Sequence, residues 1–256
     1  MRESLGAEGT TMKSFVGKAA LITGASQGIG KAIAAALDKQ GAQLVLAGRS
    51  IQRLEAAASE ITSNDDVKPM LLAADLAHPP EVDKLARQVQ GRFDMLHVLV
   101  HCAAAYRREP WEGTTQAALH SVFETNLFAP AALTCQLLPK IRRARGDIVF
   151  VNSSVVRGSG AGTGAYAASK HALRSLADSL RAEVSSDGIR VLSVYPGRAA
   201  TPLQAAIHGM EGSEYTPAEL LQPSDVAQAV LSSLLLPVKA ELTDLHIRPS
   251  PAPLKA

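Results

Sequence analysis

Short, almost wholly apolar runs alternate along the chain with longer stretches in which apolar residues recur every three or four positions. The runs at 19–22, 43–47, 70–73, 96–100, 148–151 and 191–194 have strand length, and their lack of polar alternation predicts strands buried on both faces. Leu245-His246-Ile247 predicts a last, edge strand. The helical period covers 31–40, 53–61, 81–90, 115–143 and 166–184. Strand and helix in regular alternation predict an α/β fold with a parallel sheet covered on both sides. Neither an internal repeat nor a long linker divides the 256 residues, enough for one well-packed domain. The expected domain is 14–249. Residues 1–13 read as a loose N-terminal extension in which Met12 offers a second start. The tail 250–256 continues a stretch with three prolines from Arg248 onward and reads as extended or frayed.

Composition narrows the classes of function. A net charge of +2 and few aromatic residues give no support for a nucleic-acid surface. The basic run Arg142, Arg143, Arg145 sits at a predicted helix end and reads as a complement to the helix dipole on a solvated face. No apolar segment approaches about 18 uninterrupted residues, so no membrane span is expected. The first dozen residues carry no charged-then-apolar signal pattern. Cys102 and Cys135 are too few for a disulfide framework, which agrees with a reducing cytoplasm.

Two constellations carry candidate chemistry. After the first predicted strand comes Thr23-Gly24-Ala25-Ser26-Gln27-Gly28-Ile29-Gly30, followed by an alanine-rich helical stretch. Strand, glycine-rich turn and helix together form a phosphate cradle. Gly24 allows the tight turn, Gly28 admits a pyrophosphate close to the backbone, and Gly30 lets the helix pack on the sheet. Free N–H groups and the helix dipole then face the anion. The second constellation is Tyr166-Ala167-Ala168-Ser169-Lys170, with Ser153 thirteen residues before the tyrosine. Positions i and i+4 share a helix face. An ammonium there favours ionisation of a phenol whose ordinary pKa is about 10, and a serine hydroxyl beside it can hold a carbonyl oxygen.

The pattern Thr-Gly-x-x-x-Gly-x-Gly, followed by Asn, Ser and Tyr-x-x-x-Lys, resembles the short-chain dehydrogenase/reductase family from about residue 17 to 249. The resemblance implies a single-domain, doubly wound Rossmann fold with a mostly parallel seven-stranded sheet and helices on both faces. It implies an enzyme that moves hydride between a nicotinamide cofactor and a small carbonyl or alcohol, with Asn126, Ser153, Tyr166 and Lys170 as the catalytic set. Tyr166 would act as general acid–base, Lys170 would lower the phenol and bond the nicotinamide ribose, and Ser153 would hold the developing oxyanion. Spacing from both sides places the serine on Ser153, with its neighbour Ser154 as the lesser candidate. Asn126 would offer its backbone carbonyl to a water in a proton relay. Pro130, four residues later, has no N–H to give that carbonyl. Relatives are commonly homodimers or homotetramers, and an oligomer is expected on that ground alone.

The cofactor reading continues residue by residue. Ser26, Gln27 and Ile29 complete the loop beside Gly24, Gly28 and Gly30. At the end of the second strand, where an acid would bond ribose hydroxyls, stand Gly48 and Arg49, and Ser50 adds a hydroxyl. A missing carboxylate and an adjacent guanidinium favour NADP(H) over NAD(H), which stays possible. Asp75 and Leu76 follow the third strand at the position that meets adenine, and Asp75 equally suits a turn cap. Pro196, Gly197, Ala199 and Thr201 follow the sixth strand, where the family reaches the carboxamide. Thr201 with Pro202 also makes a helix N-terminus. No metal site is read.

One motif departs from the family, His101-Cys102-Ala103-Ala104 standing where Asn-Asn-Ala-Gly is usual. The exchange leaves less room beside the cofactor and removes amides that steady the sheet; His101 reads as a structural hydrogen-bonder and Cys102 as a buried thiol near the cleft. The substrate wall is expected from 105–111, with Tyr106 and Trp111, from the glycine-rich 155–165, and from 203–221. The region 201–222 reads as a lid, and its small, polar stretch 211–216 as the part that orders on cofactor binding. Two further readings remain: a reducer of 3-oxoacyl thioesters on an acidic carrier protein docked by 140–145, and a non-catalytic NADP-binding sensor or scaffold.

Overall fold

A computed structural model describes residues 14–61 and 68–250. The expected extension 1–13 and the tail from 251 lie outside the described residues. In chain order the main elements are β1 (Ala19–Thr23), α1 (Gly28–Lys39), β2 (Gln43–Gly48), α2 (Ile51–Ile61), β3 (Met70–Ala73), α3 (Pro79–Arg92) and β4 (Val98–His101). They continue with α4 (Gln116–Phe123), α5 (Ala129–Ala144), β5 (Asp147–Val151), α6 (Gly164–Val184), β6 (Arg190–Pro196), α7 (Pro202–Glu211), α8 (Pro223–Leu234) and β7 (Asp244–Ile247).

The seven strands form one sheet in the order β3-β2-β1-β4-β5-β6-β7. Every described pair is parallel, so "mostly parallel" becomes wholly parallel. Register sets Leu21 of β1 between Val45 of β2 and Leu99 of β4. Successive side chains point to opposite faces, and the two faces feed separate cores. Ile22, Leu46 and Val100 pack under Ile33 and Leu37 of α1, Leu54 of α2 and Val230 of α8. Leu21, Leu99 and Phe150 pack under Leu85 of α3, Leu137 of α5 and Leu173 of α6. Full burial of each such side chain contributes roughly 1.5–3 kcal/mol, so β1, β4 and β5, covered on both sides, form a stiff base. The order reverses between β1 and β4. A crevice therefore opens beyond their carboxyl ends, the place where doubly wound sheets bind ligands.

Helix ends follow their side chains. Thr115 caps α4 by accepting from the Ala118 N–H at 3.2 Å, and Gln222 with Asp225 forms a capping box on α8. The predicted helix 115–143 is interrupted by a single π turn, Glu124–Phe128, between α4 and α5. There the Ala129 N–H bonds the Glu124 carbonyl, five residues back. The break falls where Pro130 deprives the Asn126 carbonyl of its α-helical donor. At the end of α5, Arg142 Nε lies 2.8 Å from Asp187 and Lys140 Nζ 3.9 Å from Asp94. Arg145 forms the left-handed C-cap at φ +48°. Among the described residues no helix is long and apolar enough to cross a membrane.

Candidate active site

A cavity of about 950 Å³ runs along the carboxyl ends of the strands, from the glycine loop after β1 to the first turns of α6. At its glycine-loop end each of three glycines is fixed by a different neighbour. Gly24 has φ +68°, and a Cβ there would stand 2.8 Å from the Ala103 amide nitrogen. Gly28 has φ +56° and lies against the Thr201 methyl, 3.0 Å from where its Cβ would be. A Cβ on Gly30 would collide with the Gly24 carbonyl oxygen. Gln27 precedes α1 in extended conformation without capping it, so no side chain competes for the N–H groups of the first turn. Ser26, Gln27 and Ile29 also line the cavity. This is a cradle that a dinucleotide pyrophosphate fits.

Beyond the cradle, Gly48, Arg49, Asp75 and Leu76 line the far end. Arg53, which the sequence reading missed, lines it too. Its signal was available: a second arginine four residues after Arg49, in the first turn of α2. The hydroxyl of Ser50 accepts from the Arg53 N–H at 3.3 Å and lies 3.0 Å from Gln52 Oε1, so it caps α2 instead of facing the cavity. Asp75 both closes a turn and faces the cavity. Its Oδ1 accepts from the Ala77 N–H at 3.0 Å while the residue lines the cavity.

Pro196, Gly197, Ala199 and Thr201 line the opposite wall. Gly197 is tied to β7 through the Ile247 carbonyl at 2.7 Å, and Ala199 bridges Leu221. Thr201 caps α7, its Oγ1 accepting from the Gln204 N–H at 3.2 Å.

The candidate catalytic residues converge at the other end. Tyr166 and Lys170 stand one turn apart on α6. Lys170 is 1% exposed, its Nζ lies 5.8 Å from the Tyr166 ring centre, and it donates to the Val151 carbonyl at 2.9 Å. Ser153 stands beside the Tyr166 phenol, close enough to favour its ionisation, and its Oγ accepts from the Val155 N–H at 3.2 Å. Ser154 opens the following 3₁₀ turn and is exposed, so the pairing falls on Ser153. Asn126, within the π turn, donates from Nδ2 to Ser169 Oγ at 3.0 Å and to the Ala105 carbonyl at 2.9 Å. Its Oδ1 accepts from the Ala105 N–H at 2.7 Å. Ser169 in turn donates to the Tyr166 carbonyl at 2.7 Å. The Asn126 side chain thus ties the segment after β4 to the turn of α6 that carries the phenol.

Electrostatics at this end correct one expectation. Burial pushes the Tyr166 phenol up to about 12, against a lowering by the neighbouring Ser153 side chain. Burial also pushes the Lys170 ammonium down to about 8. Lys170 was expected to lower the phenol, but desolvation outweighs any such effect here, and its ammonium is bound to a backbone carbonyl. At neutral pH Tyr166 is therefore a neutral phenol beside a charged lysine.

Two residues change standing. Asn152, unassigned in the sequence reading, accepts from the Ser153 N–H at 2.9 Å and donates to the Lys170 carbonyl at 3.1 Å. It locks the serine to the lysine's turn; its place directly before Ser153 was the only sequence signal. Tyr106 lines the cavity and meets Tyr166 edge-on, ring centres 5.0 Å apart. Trp111 does not line it. It is 69% exposed and lies over Gly164, where a Cβ would stand 2.5 Å from its Cζ2.

Comparison with known proteins agrees with this geometry. The short chain dehydrogenase family matches residues 18–212. The chain belongs to that family. Among its relatives is dehydrogenase/reductase SDR family member 7B of Bos taurus, 35% identical over 235 residues, covering 87% of this chain and 72% of that one. Its fold is similar to an alcohol dehydrogenase from the archaeon Thermococcus sibiricus complexed with 5-hydroxy-NADP, at TM-score 0.81 and 28% identity over 93% of this chain and 99% of that one. A metagenomic short-chain oxidoreductase in complex with NADP gives TM-score 0.80 and 28% identity over the same shares.

For a short-chain dehydrogenase the segment after β4 is unusual, and the structure shows what replaces the lost amides. Thr23 Oγ1 donates to the Val100 carbonyl at 3.3 Å and accepts from the N–H groups of Cys102 and Ala103 at 3.1 and 3.3 Å. His101 is 3% exposed, stacks on Phe150 with ring centres 4.9 Å apart, and meets Thr134 Oγ1 at 2.9 Å through Nε2. Burial pushes it down to about 3, so it is neutral and structural. Cys102 lines the cavity beside the Gly30 amide, and burial pushes its thiol up to about 12, which makes it a poor nucleophile.

Proposed function

We propose that this short-chain dehydrogenase is an NADP(H)-dependent oxidoreductase that interconverts a ketone or aldehyde with the corresponding alcohol. The observation that carries this reading is the convergence of Ser153, Tyr166 and Lys170, the last two one helical turn apart, on a cavity continuous with the glycine cradle. Gly24, Ser26, Gln27, Gly28, Ile29 and Gly30 hold the pyrophosphate, and Asp75 with Leu76 flanks the adenine. Pro196, Gly197, Ala199 and Thr201 receive the carboxamide. Arg49 and Arg53 favour a 2′-phosphate, where a carboxylate would repel it; the solved relatives that hold NADP or its hydroxy derivative support the same choice. Bound NADP(H) supplies or accepts the hydride.

In the direction of reduction, Ser153 holds the carbonyl oxygen and Tyr166 gives that oxygen its proton. The neutral phenol is in the state this step needs. Lys170 bonds the ribose and steadies the phenolate left behind. The Asn126 carbonyl, without an α-helical donor, holds a water that returns the proton. The four side chains are pre-positioned by Asn152 and Ser169, which lowers the cost of orientation. Assembly as a homodimer or homotetramer in the cytoplasm belongs to the same reading. In the carrier-protein alternative, docking by 140–145 would have to compete with the pairs that Arg142 and Lys140 make within the chain.

The test is a screen of carbonyl compounds and alcohols with both phosphorylated and unphosphorylated cofactor, comparing wild type with Tyr166→Phe. Turnover is expected to fall about 10²–10⁴-fold in the variant with cofactor binding retained. Cofactor binding without turnover across the screen would instead indicate a sensor. Equal KM values for NADPH and NADH, unmoved in Arg49→Ala, would overturn the cofactor choice.

A further inference from the structure

A charge bridge spans the mouth of the cavity, and the hydride chemistry above does not use it. Arg108, from the segment after β4, lies 3.3 Å from Glu211 Oε1 in the last turn of α7. Arg198, from the turn after β6, meets the same carboxylate through Nη1 at 2.9 Å and Nη2 at 3.1 Å. All three side chains line the cavity. Two walls are therefore joined by one carboxylate held between two guanidiniums.

The surroundings leave positive charge in excess. Behind Arg198, His208 Nε2 lies 3.4 Å from Arg198 Nη1, and its Nδ1 lies 2.8 Å from the Gln204 carbonyl and 3.1 Å from Gln204 Nε2. Arg107 continues the rim and pairs with Glu109 at a looser 3.7 Å. The two guanidiniums at Glu211 offer more N–H donors than its two oxygens can accept. The bridge is also close to the reacting end. Arg108 Cγ lies 3.2 Å from the Cβ position of Gly162, and the Glu109 N–H bonds the Gly162 carbonyl at 3.0 Å. That loop leads directly into α6 and Tyr166, and Tyr106, two residues before Arg108, stands edge-on to the phenol.

We propose that Arg108 and Arg198 dock the carboxylate of an oxo acid, or of the matching hydroxy acid, and that Glu211 is the internal anion this carboxylate displaces. The inference rests on the oxidoreductase reading and names its substrate class. Glu211 shows that the two guanidiniums already form a carboxylate clamp across the mouth. Paired N–H donors of arginine fit a second carboxylate in the same way. A cationic substrate would meet the arginines first and is disfavoured. A neutral carbonyl compound leaves the bridge in place and gains nothing from it.

The test measures equilibrium binding of pyruvate, acetoacetate and levulinate, each beside its methyl ester, to the NADP⁺-loaded protein, which cannot reduce them. At least one acid is expected to bind about 10–100-fold more tightly than its ester, the range for a charge-assisted contact. Glu211→Gln should tighten the acid further relative to its ester, whereas Arg108→Ala with Arg198→Ala should erase the preference. Equal binding of acid and ester, a preference that survives the double arginine variant, or no binding of either series would overturn the proposal. Parallel turnover with NADPH separates the two readings. Reduction of acids and esters with equal kcat/KM sinks the clamp and leaves the oxidoreductase; acid-selective binding with no reduction does the reverse.

Discussion

His101 carries the departure from the family motif, and its surroundings set a pH dependence. Folding lowers its pKa from 6.5 to about 3 because the buried imidazole must stay neutral. Between those values the unfolded chain binds a proton that the folded chain refuses. Stability linked to this residue is therefore complete above pH 6.5 and declines as pH falls toward 3, by at most about 1.4 kcal/mol per pH unit. Urea midpoints measured from pH 7 downward should fall more steeply in wild type than in His101→Asn. Parallel curves would show that the histidine is not the titrating group. Asn152 gives a second prediction at this scale. Asn152→Ala removes the acceptor of the Ser153 N–H and a second donor to the Lys170 carbonyl, at a cost of about 1–3 kcal/mol. The expected result is a lower kcat with cofactor affinity largely kept. Loss of cofactor binding without change in kcat would contradict it.

Among the elements, the strand–turn–helix from β1 to α1 depends on backbone contact that no side chain can relieve. Gly30→Ala drives a methyl into the Gly24 carbonyl, so a loss of about 1–3 kcal/mol is expected, together with weakened cofactor binding. Gly91 in α3 has open space around its Cβ position. Gly91→Ala should therefore stabilise by up to about 1 kcal/mol. A thermal melt of the pair should show shifts of opposite sign; equal shifts would mean that helix propensity alone governs both sites. Next to these rigid pieces, we propose α7 and the stretch to 222 as the lid of the enzyme. Glu211 fastens it to both rims, and slower proteolysis of 211–216 with NADP is the result that supports closure on the cofactor.

At the scale of the molecule, both cores hang on one sheet, and the cavity follows that sheet from β3 to β6. A ligand bound along it stabilises the folded chain by mass action, by about 2.7 kcal/mol at one hundred times its Kd. NADPH should raise the melting temperature more than NADH at equal concentration. The excess should shrink in Arg49→Ala and vanish when Arg53→Ala is added, since each guanidinium–phosphate contact contributes about 1.5–3 kcal/mol. An excess untouched by both substitutions would place the phosphate elsewhere. Raising ionic strength should reduce the same excess, because both arginines are exposed.

Much of this was legible in the chain before its fold. Apolar runs of strand length marked six strands, and their lack of alternation marked a parallel sheet covered on both sides; Leu245-His246-Ile247 marked the edge strand. The glycines at 24, 28 and 30 and the spacing of Ser153, Tyr166 and Lys170 marked the two ends of the cavity, because local backbone geometry and helix periodicity act over a few residues. The π turn at 124–128 was half legible: Pro130 announced a missing donor but not how the helix would absorb it. Other features depended on residues far apart in sequence. The Tyr166 and Lys170 pKa values follow from burial, which no spacing reports. Asn152 gained its role from meeting Lys170 across the β5–α6 contact. Trp111 was excluded from the cavity by lying over Gly164, and Glu211 reached two arginines on separate walls only once β4, β6 and α7 were packed together. The chain itself determined which pieces form and which chemistry they carry. Packing decided which charges are desolvated and which groups meet, because both depend on distance through space.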